Sequence, residues 1–305
     1  AYEIVSRDWS SDVCSSDLHQ IEVYEQNSAD ATFGFGIAFS DRALDFLRRD
    51  DPSTYEAILP AMEQWRDSIL YVKGHEVRID GMNYAGIGRL ELLKILQARA
   101  RSVGIEPVYG RTIRSLDELG SPEILVGSDG ANSLVRRTHQ AGFGTATKVL
   151  NNHFAWYGTT RHFEALGHTF VENELGTFNA HHHPHAPDMS TFVVEVDDAT
   201  FKRAGFDRMS LSEAQKVCEQ VFARTLDGHP MIANNSIWRQ FPRLWNEHWS
   251  VGNCVLMGDA LRTAHFSIGS GTRLAMEDAL ALEKAIRVHG KDVRAALVDY
   301  EMVRK

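Results

Sequence analysis

The chain has 305 residues, 43% hydrophobic and 24% charged, enough to bury a full core and to build one or two domains. A net charge of −9 and a pI near 5.9 exclude broad affinity for nucleic acid or membrane surfaces. No apolar run approaches the roughly 20 residues of a spanning helix and no signal peptide is visible. Cys14, Cys218 and Cys254 share no metal or redox spacing, so a cytoplasmic protein with core thiols is expected.

His19 to Glu25 is the first predicted strand, and Glu25 at its end is suited to a ribose hydroxyl. A dinucleotide fold puts a strand and a GxGxxG turn about 20 residues upstream, yet no glycine precedes Gly34. Ser10 to Leu18 has no apolar face for a first helix. Arg7 to Leu18, RDWSSDVCSSDL, reads instead as the translation of a short-read sequencing adapter. The segment is therefore expected to be foreign to the natural protein, with the phosphate cradle missing.

Thr32 to Leu47 carries Gly34 and Gly36 before a helix expected to begin around Asp41. Tyr55 to Leu70 has a mixed amphipathic pattern interrupted by Pro60, which predicts two short helices. Arg89 opens a helix whose buried face is expected at Leu93, Leu96, Ala100 and Val103. Ile105 to Tyr109 and Ile124 to Val126 are predicted strands. The second runs into Gly127 to Arg136, GSDGANSLVR, where Asp129-Gly130 ends the strand and Ser133 and Arg136 fall on the first turns of a helix.

From Leu150 to Phe241 the texture changes to alternating, aromatic-rich strands: Thr169 to Val171, a turn near Gly176, Thr177 to Ala180, then Thr191 to Val196. Ser210 to Glu213 forms a capping box for a helix bearing Val217, Val221 and Phe222. His181, His182, His183 and His185 invite a metal reading. No Cys or acidic partner has ligand spacing, and Pro184 suggests a strand leaving for a loop, so no metal site is expected. Trp238, Trp245 and Trp249 are read as packing residues.

Cys254 to Met257 is a short buried strand that stops at Gly258-Asp259. A loop with Gly269 and Gly271 follows, then a helix with Ala275, Ala279, Leu282 and Ile286 at helical spacing. Strand, glycine loop and helix together set backbone N–H groups against an anion, and Asp259 can accept from ribitol or ribose hydroxyls. An ordinary α/β connection with Asp259 as a helix cap accounts for the pattern as well. A last helix is set by Val293, Leu297 and Tyr300.

These stretches, read together, resemble the FAD-dependent aromatic monooxygenases of the para-hydroxybenzoate hydroxylase-like superfamily. Gly127 to Arg136 matches their G-x-D-G-x-x-S-x-V-R motif, and Gly258-Asp259, Gly269 to Gly271 and Ala275 to Ala279 match their second FAD motif. Thr263 to Thr272, TAHFSIGSGT, is similar to the branch acting on aromatic acyl-CoA thioesters, of the salicylyl-CoA and 2-aminobenzoyl-CoA type. Two words depart from the family: Leu261-Arg262 replaces Ala-His, and Phe266-Ser267 replaces Pro-Pro.

The resemblance implies an α/β fold: a Rossmann-like FAD-binding domain over 1–149 and 242–305, its first β-α unit damaged, and an inserted mixed β-sheet substrate domain over 150–241. It implies FAD contacts at Glu25, Arg89, Asp129, Gly130, Gly258, Asp259, Gly269, Gly271 and Thr272, with Gly34 and Gly36 passing the flavin ring. His265 is the candidate polar group near the reacting ring. Implied partners are NADPH or NADH, O2 and an aromatic acyl-CoA, and the implied route is ring hydroxylation through a C4a-hydroperoxyflavin. The family continues beyond Lys305, in this branch often with an old-yellow-enzyme-like reductase domain, so the chain is expected to be truncated there. Two rivals are a hydroxylase of a free aromatic acid and a non-catalytic ligand-binding chain that has lost FAD.

Overall fold

The computed structural model describes residues 2–7 and 20–305, and the adapter-like segment falls outside them except for Arg7. The described chain forms two compact units: Ala1–Ala31 with Leu96–Lys148 and Pro242–Lys305, and Thr32–Ile95 with Val149–Phe241.

The first unit is built on a six-stranded sheet. Gln20–Glu25, Val108–Tyr109, Ile124–Ser128 and Cys254–Leu256 all run the same way, as an α/β nucleotide fold requires. Tyr2–Arg7 fills the centre but runs antiparallel to both neighbours, Gln20–Glu25 and Ile124–Ser128. Its carboxyl end therefore leaves at the edge opposite to theirs. The core is aliphatic: Leu125, Val126, Val135, Val255, Leu256 and Leu261 lie under helices Gly271–His289 and Val293–Arg304, with Tyr300 fully buried. Gly127 is forced by this packing, since a Cβ there would lie 2.8 Å from Val135 Cβ and 2.9 Å from Leu256 Cδ2.

The second unit holds a long, mostly antiparallel sheet and a small three-stranded one. Ala146–Thr159, Met189–Val196, Gly176–Ala186 and Leu166–Asn173 are consecutive neighbours. The sheet is then extended by Ser68–Val72, parallel to Leu166–Asn173, and by His75–Ile79 at the edge. Helix Leu211–Val221 starts with the expected capping box, Ser210 accepting from the Glu213 N–H and Glu213 from the Ser210 N–H. It buries Ala214 and Cys218 against Phe178, Phe192 and Phe222.

Four expectations are corrected here. After Pro60 the chain does not resume a helix: Glu63–Trp65 and Ser68–Val72 are strands, with Trp65 and Ile69 buried together. Helix Arg89–Ser102 buries Leu92 and Gln97, whereas Val103 lies beyond it, 46% exposed. The predicted strand over Ile105 to Tyr109 is reduced to Val108–Tyr109. Pro184 does not end its strand, which continues to Ala186 through a register shift. By compactness, Thr32–Ile95 clusters with Val149–Phe241.

Strand Gly176–Ala186 buries His181, His182, His183 and His185. His182 stacks on Phe163 at 3.9 Å, and His183 on Trp65 at 5.9 Å. Burial holds His182 well below the usual imidazole range and pulls His183 and His185 down to about 4. Among the described residues, no helix is long and apolar enough to cross a membrane.

Candidate functional site

At the carboxyl end of Ile124–Ser128 the chain turns at Asp129-Gly130, Gly130 having φ +77°. Ser133 caps the next helix by accepting from the Arg136 N–H at 3.0 Å, and Asp129 Oδ2 accepts from the Leu134 N–H. The second carboxylate oxygen, Asp129 Oδ1, is buried without a hydrogen-bond partner among the described residues. Such an atom costs free energy unless something donates to it.

Arg136 is buried, and its guanidinium donates to the Ala260 carbonyl at 2.8 Å and to the Ala131 carbonyl. Burial lowers its pKa, and the nearby Asp129 opposes that shift. One buried arginine thus clamps the Asp-Gly turn to the Gly-Asp segment, and the two motifs form one site.

Strand Cys254–Leu256 delivers Gly258, at φ +57°, where a Cβ would stand 3.2 Å from Ala275 Cβ. The Gly258 N–H donates to Asp278 Oδ2 at 3.1 Å. Asp278 is fully buried and also accepts from Arg262 at 3.1 and 2.9 Å and from Arg304 Nε at 3.1 Å. Arg262 lies 4.7 Å over the Trp249 ring. The family departure at Leu261-Arg262 therefore has a structural use: Leu261 fills the core and Arg262 neutralises Asp278.

Asp259 is exposed on the short helix Gly258–Leu261. Downstream, His265 Nδ1 is 2.8 Å from Ser267 Oγ and accepts from the Ser267 N–H at 3.4 Å, capping the turn Phe266–Ile268. Gly269 has φ +60°. Gly271 and Thr272 open helix Gly271–His289, whose N-terminus carries no side-chain cap. A Cβ on Gly271 would meet nothing, so its bareness serves no internal packing and leaves the first-turn N–H groups approachable.

Beside these motifs is a cavity of about 330 Å³ lined by Tyr24, Gln26, Arg111, Asp129, Asn132 and Arg137, among others. Arg111 lies 4.5 Å over the Tyr24 ring. Glu25 is buried next to it, with Oε1 accepting from the Asn27 N–H at 2.8 Å and from Asn27 Nδ2 at 2.7 Å.

The remaining candidates belong to the second unit. Arg89 starts its helix with the guanidinium 4.8 Å over the Trp156 ring. A Cβ on Gly34 would press on Trp156 at 3.4 Å, and one on Gly36 would overlap His185 at 2.3 Å. Both glycines are thus used by packing inside that unit. Residues that sequence reasoning missed are Asp278, Arg304 and Arg111. Asp278 was visible as the Asp of Ala-x-x-Asp-Ala, whereas nothing local marks Arg304 or Arg111.

Tested against a flavin dinucleotide, this unit fits in part. The orphaned Asp129 oxygen, the adjoining cavity and the uncapped helix start suit a nucleotide with hydroxyls and an anionic diphosphate. The reversed Tyr2–Arg7 strand does not bring a phosphate turn to the carboxyl edge of the sheet.

Comparison with known proteins agrees. Residues 73–305 match the family model described as FAD binding domain. The chain is 38% identical over 294 residues to a salicyloyl-CoA 5-hydroxylase of a Streptomyces species, covering 94% of this chain and 57% of that protein. It is 33% identical over 286 residues to a 3-hydroxy-4-methyl-anthranilyl-(aryl-carrier protein) 5-monooxygenase of Streptosporangium sibiricum, covering 94% of this chain and 77% of that protein. The chain thus spans little more than half the length of the Streptomyces relative. In fold it is similar to the tetrameric form of 2-methyl-3-hydroxypyridine-5-carboxylic acid oxygenase, with a TM-score of 0.73 at 18% identity, over 92% of this chain and 78% of that one. The chain belongs to the FAD binding domain family, among its flavin-dependent aromatic monooxygenases.

Proposed function

We propose that the chain is the FAD-binding and ring-hydroxylating part of an enzyme acting on an aromatic acid held as a thioester, of the salicylyl-CoA or 2-aminobenzoyl-CoA type. The observation that carries this reading is the joining of the Asp-Gly and Gly-Asp motifs through Arg136, with TAHFSIGSGT following in the same unit. Support for the thioester comes from two relatives whose names place the aromatic group on a carrier, CoA in one and an aryl-carrier protein in the other.

The chemistry that FAD supplies when bound is electron uptake from NADPH or NADH and activation of O2. The residues of this chain bind and orient. Glu25 is assigned to the adenosine ribose, Asp129 and Gly130 to the diphosphate region, and Gly258 and Asp259 to the ribityl chain. The N–H groups at Gly271 and Thr272 are assigned to the flavin's electron-rich edge, with Gly269 giving the loop its turn. Arg89 and His265 are the polar groups assigned to the flavin and the reacting ring. Asp278 keeps Gly258 in place by holding its N–H, and the buried Leu256 and Leu261 keep water from beneath the loop.

The test is a visible spectrum of the purified chain after FAD is added and the excess removed by gel filtration. Retained flavin, with bands near ~450 and ~375 nm, is expected at best at low occupancy, because the first strand is reversed. Replacing residues 1–18 with an intact strand–GxGxxG–helix is expected to tighten FAD binding at least about tenfold, roughly 1.4 kcal/mol. NADPH oxidation should then respond to 2-aminobenzoyl-CoA and not to the free acid. If the repaired chain stayed colourless, the flavin reading would fail. A response to the free acid alone would replace the thioester by its free counterpart.

A further inference from the structure

We propose that the cavity beside the Asp-Gly turn is a subsite for an adenosine whose ribose carries a phosphate ester. NADPH bears that group on its 2′ oxygen and coenzyme A on its 3′ oxygen, whereas the adenosine riboses of FAD and NADH are bare. The proposal rests on the oxygenase reading above, which supplies NADPH and an acyl-CoA as partners.

Arg111 and Arg137 both line this cavity, and Asp129 is the one acid on its wall among the described residues. Neither arginine forms an ion pair among the described residues. Arg111 lies over the Tyr24 ring. Glu118, held below the usual carboxylate range by the N–H groups of Arg114 and Ser115, acts on Arg111 only through space. The buried Arg136 adds a further positive charge near Arg137, and its own partners are carbonyls. Elsewhere surface arginines reach carboxylates, as Arg48, Arg78 and Arg273 do. On a chain of net charge −9, two exposed guanidiniums left without a carboxylate in one cavity make a place for an anion.

Size and shape narrow the anion to a nucleotide. A cavity of about 330 Å³ suits one nucleoside phosphate and is too small for a whole dinucleotide. The Arg111 guanidinium, 4.5 Å over Tyr24, offers a flat surface on which a base can stack, and Gln26 and Asn132 supply amide donors and acceptors for its edge. A bare ribose would give the two guanidinium forks nothing to hold. A phosphate ester presents oxygens to both. Glu25, assigned above to the bare adenosine ribose of FAD, is buried and does not line the cavity, so the two adenosines have separate places.

Isothermal titration calorimetry of the full chain tests this with adenosine 2′,5′-bisphosphate, adenosine 3′,5′-bisphosphate and 5′-ADP, which carry two phosphates each. At least one bisphosphate is expected to bind about tenfold or more tighter than 5′-ADP. A preference for the 2′ ester assigns the subsite to NADPH, and a preference for the 3′ ester assigns it to the acyl-CoA. Arg111→Gln and Arg137→Gln should each erase the preference with unchanged circular dichroism, since both side chains are exposed. Arg137→Lys, which keeps the charge without the fork, should keep part of it. Failure to bind either bisphosphate, equal binding of all three nucleotides, or a preference that survives both glutamine substitutions would overturn the proposal. Tighter binding of 5′-ADP would also overturn it and give the arginines to the flavin's diphosphate. Flavin retention by the chain repaired at residues 1–18 is measured separately, so a chain that keeps FAD without the bisphosphate preference sinks this proposal alone.

Discussion

The two units bury polar chemistry in opposite ways. In the first, buried charge is retained and paired: Asp278 holds two arginines and a backbone N–H, and Arg136 spends its guanidinium on carbonyls. In the second, the buried imidazoles of one strand are kept neutral by burial against aromatic rings. Paired charge fixes a loop in one geometry, which a cofactor site needs. Neutral stacked rings fill a sheet core, and they fail when protons become available.

Asp278→Ala is expected to have the largest effect, because it strips Arg262 and Arg304 of their shared buried partner. A loss of about 3–5 kcal/mol is expected in denaturant unfolding, and Asp278→Asn, which still accepts, should lose less. If the alanine variant unfolded like wild type, pairing would not be what holds the first unit.

Acid comes next and should strike the other unit. His183 and His185 titrate near 4 when folded against an unfolded value near 6.5. Their contribution is complete above about pH 6.5 and is lost as pH falls towards 4, because the unfolded chain takes up protons that the folded one refuses. The loss should reach roughly 1–3 kcal/mol per histidine. His183→Phe, which can still stack on Trp65, should flatten the pH dependence of stability across that window. An unchanged slope would assign acid sensitivity to other groups. The smallest effect is Ser210→Ala, which removes the capping box of helix Leu211–Val221. It should cost about 1 kcal/mol in thermal unfolding without shifting the pH slope.

What the sequence showed was local. Asp129-Gly130 and the Ser210 box are short words whose residue types dictate a turn or a cap, and each is where those words put it, whereas Gly258-Asp259 ends its strand by opening the short helix Gly258–Leu261. Alternation marked the strands Leu166–Asn173 and Met189–Val196 for the same reason. What it hid was non-local. Nothing in Ser68–Val72 announces a parallel partner in Leu166–Asn173, and that pairing helps draw Thr32–Ile95 into the second unit. Pro60 obscured the change from helical to alternating period, and with it Glu63–Trp65. Arg304 reads as a surface charge near the end of a helix, although it shares a fully buried carboxylate with Arg262.

The first unit is assembled from three stretches of chain: Ala1–Ala31, Leu96–Lys148 and Pro242–Lys305. During synthesis its sheet lacks Cys254–Leu256, and Asp278 lacks Arg304, until the last of these stretches has emerged. The long sheet of the second unit is complete by Trp245, before Cys254–Leu256 is made, and has local hairpins to nucleate it. Assembly therefore has a built-in order. The histidine-bearing sheet can condense while the nucleotide unit is still open, and the Asp278 cluster closes only once Arg304 has emerged.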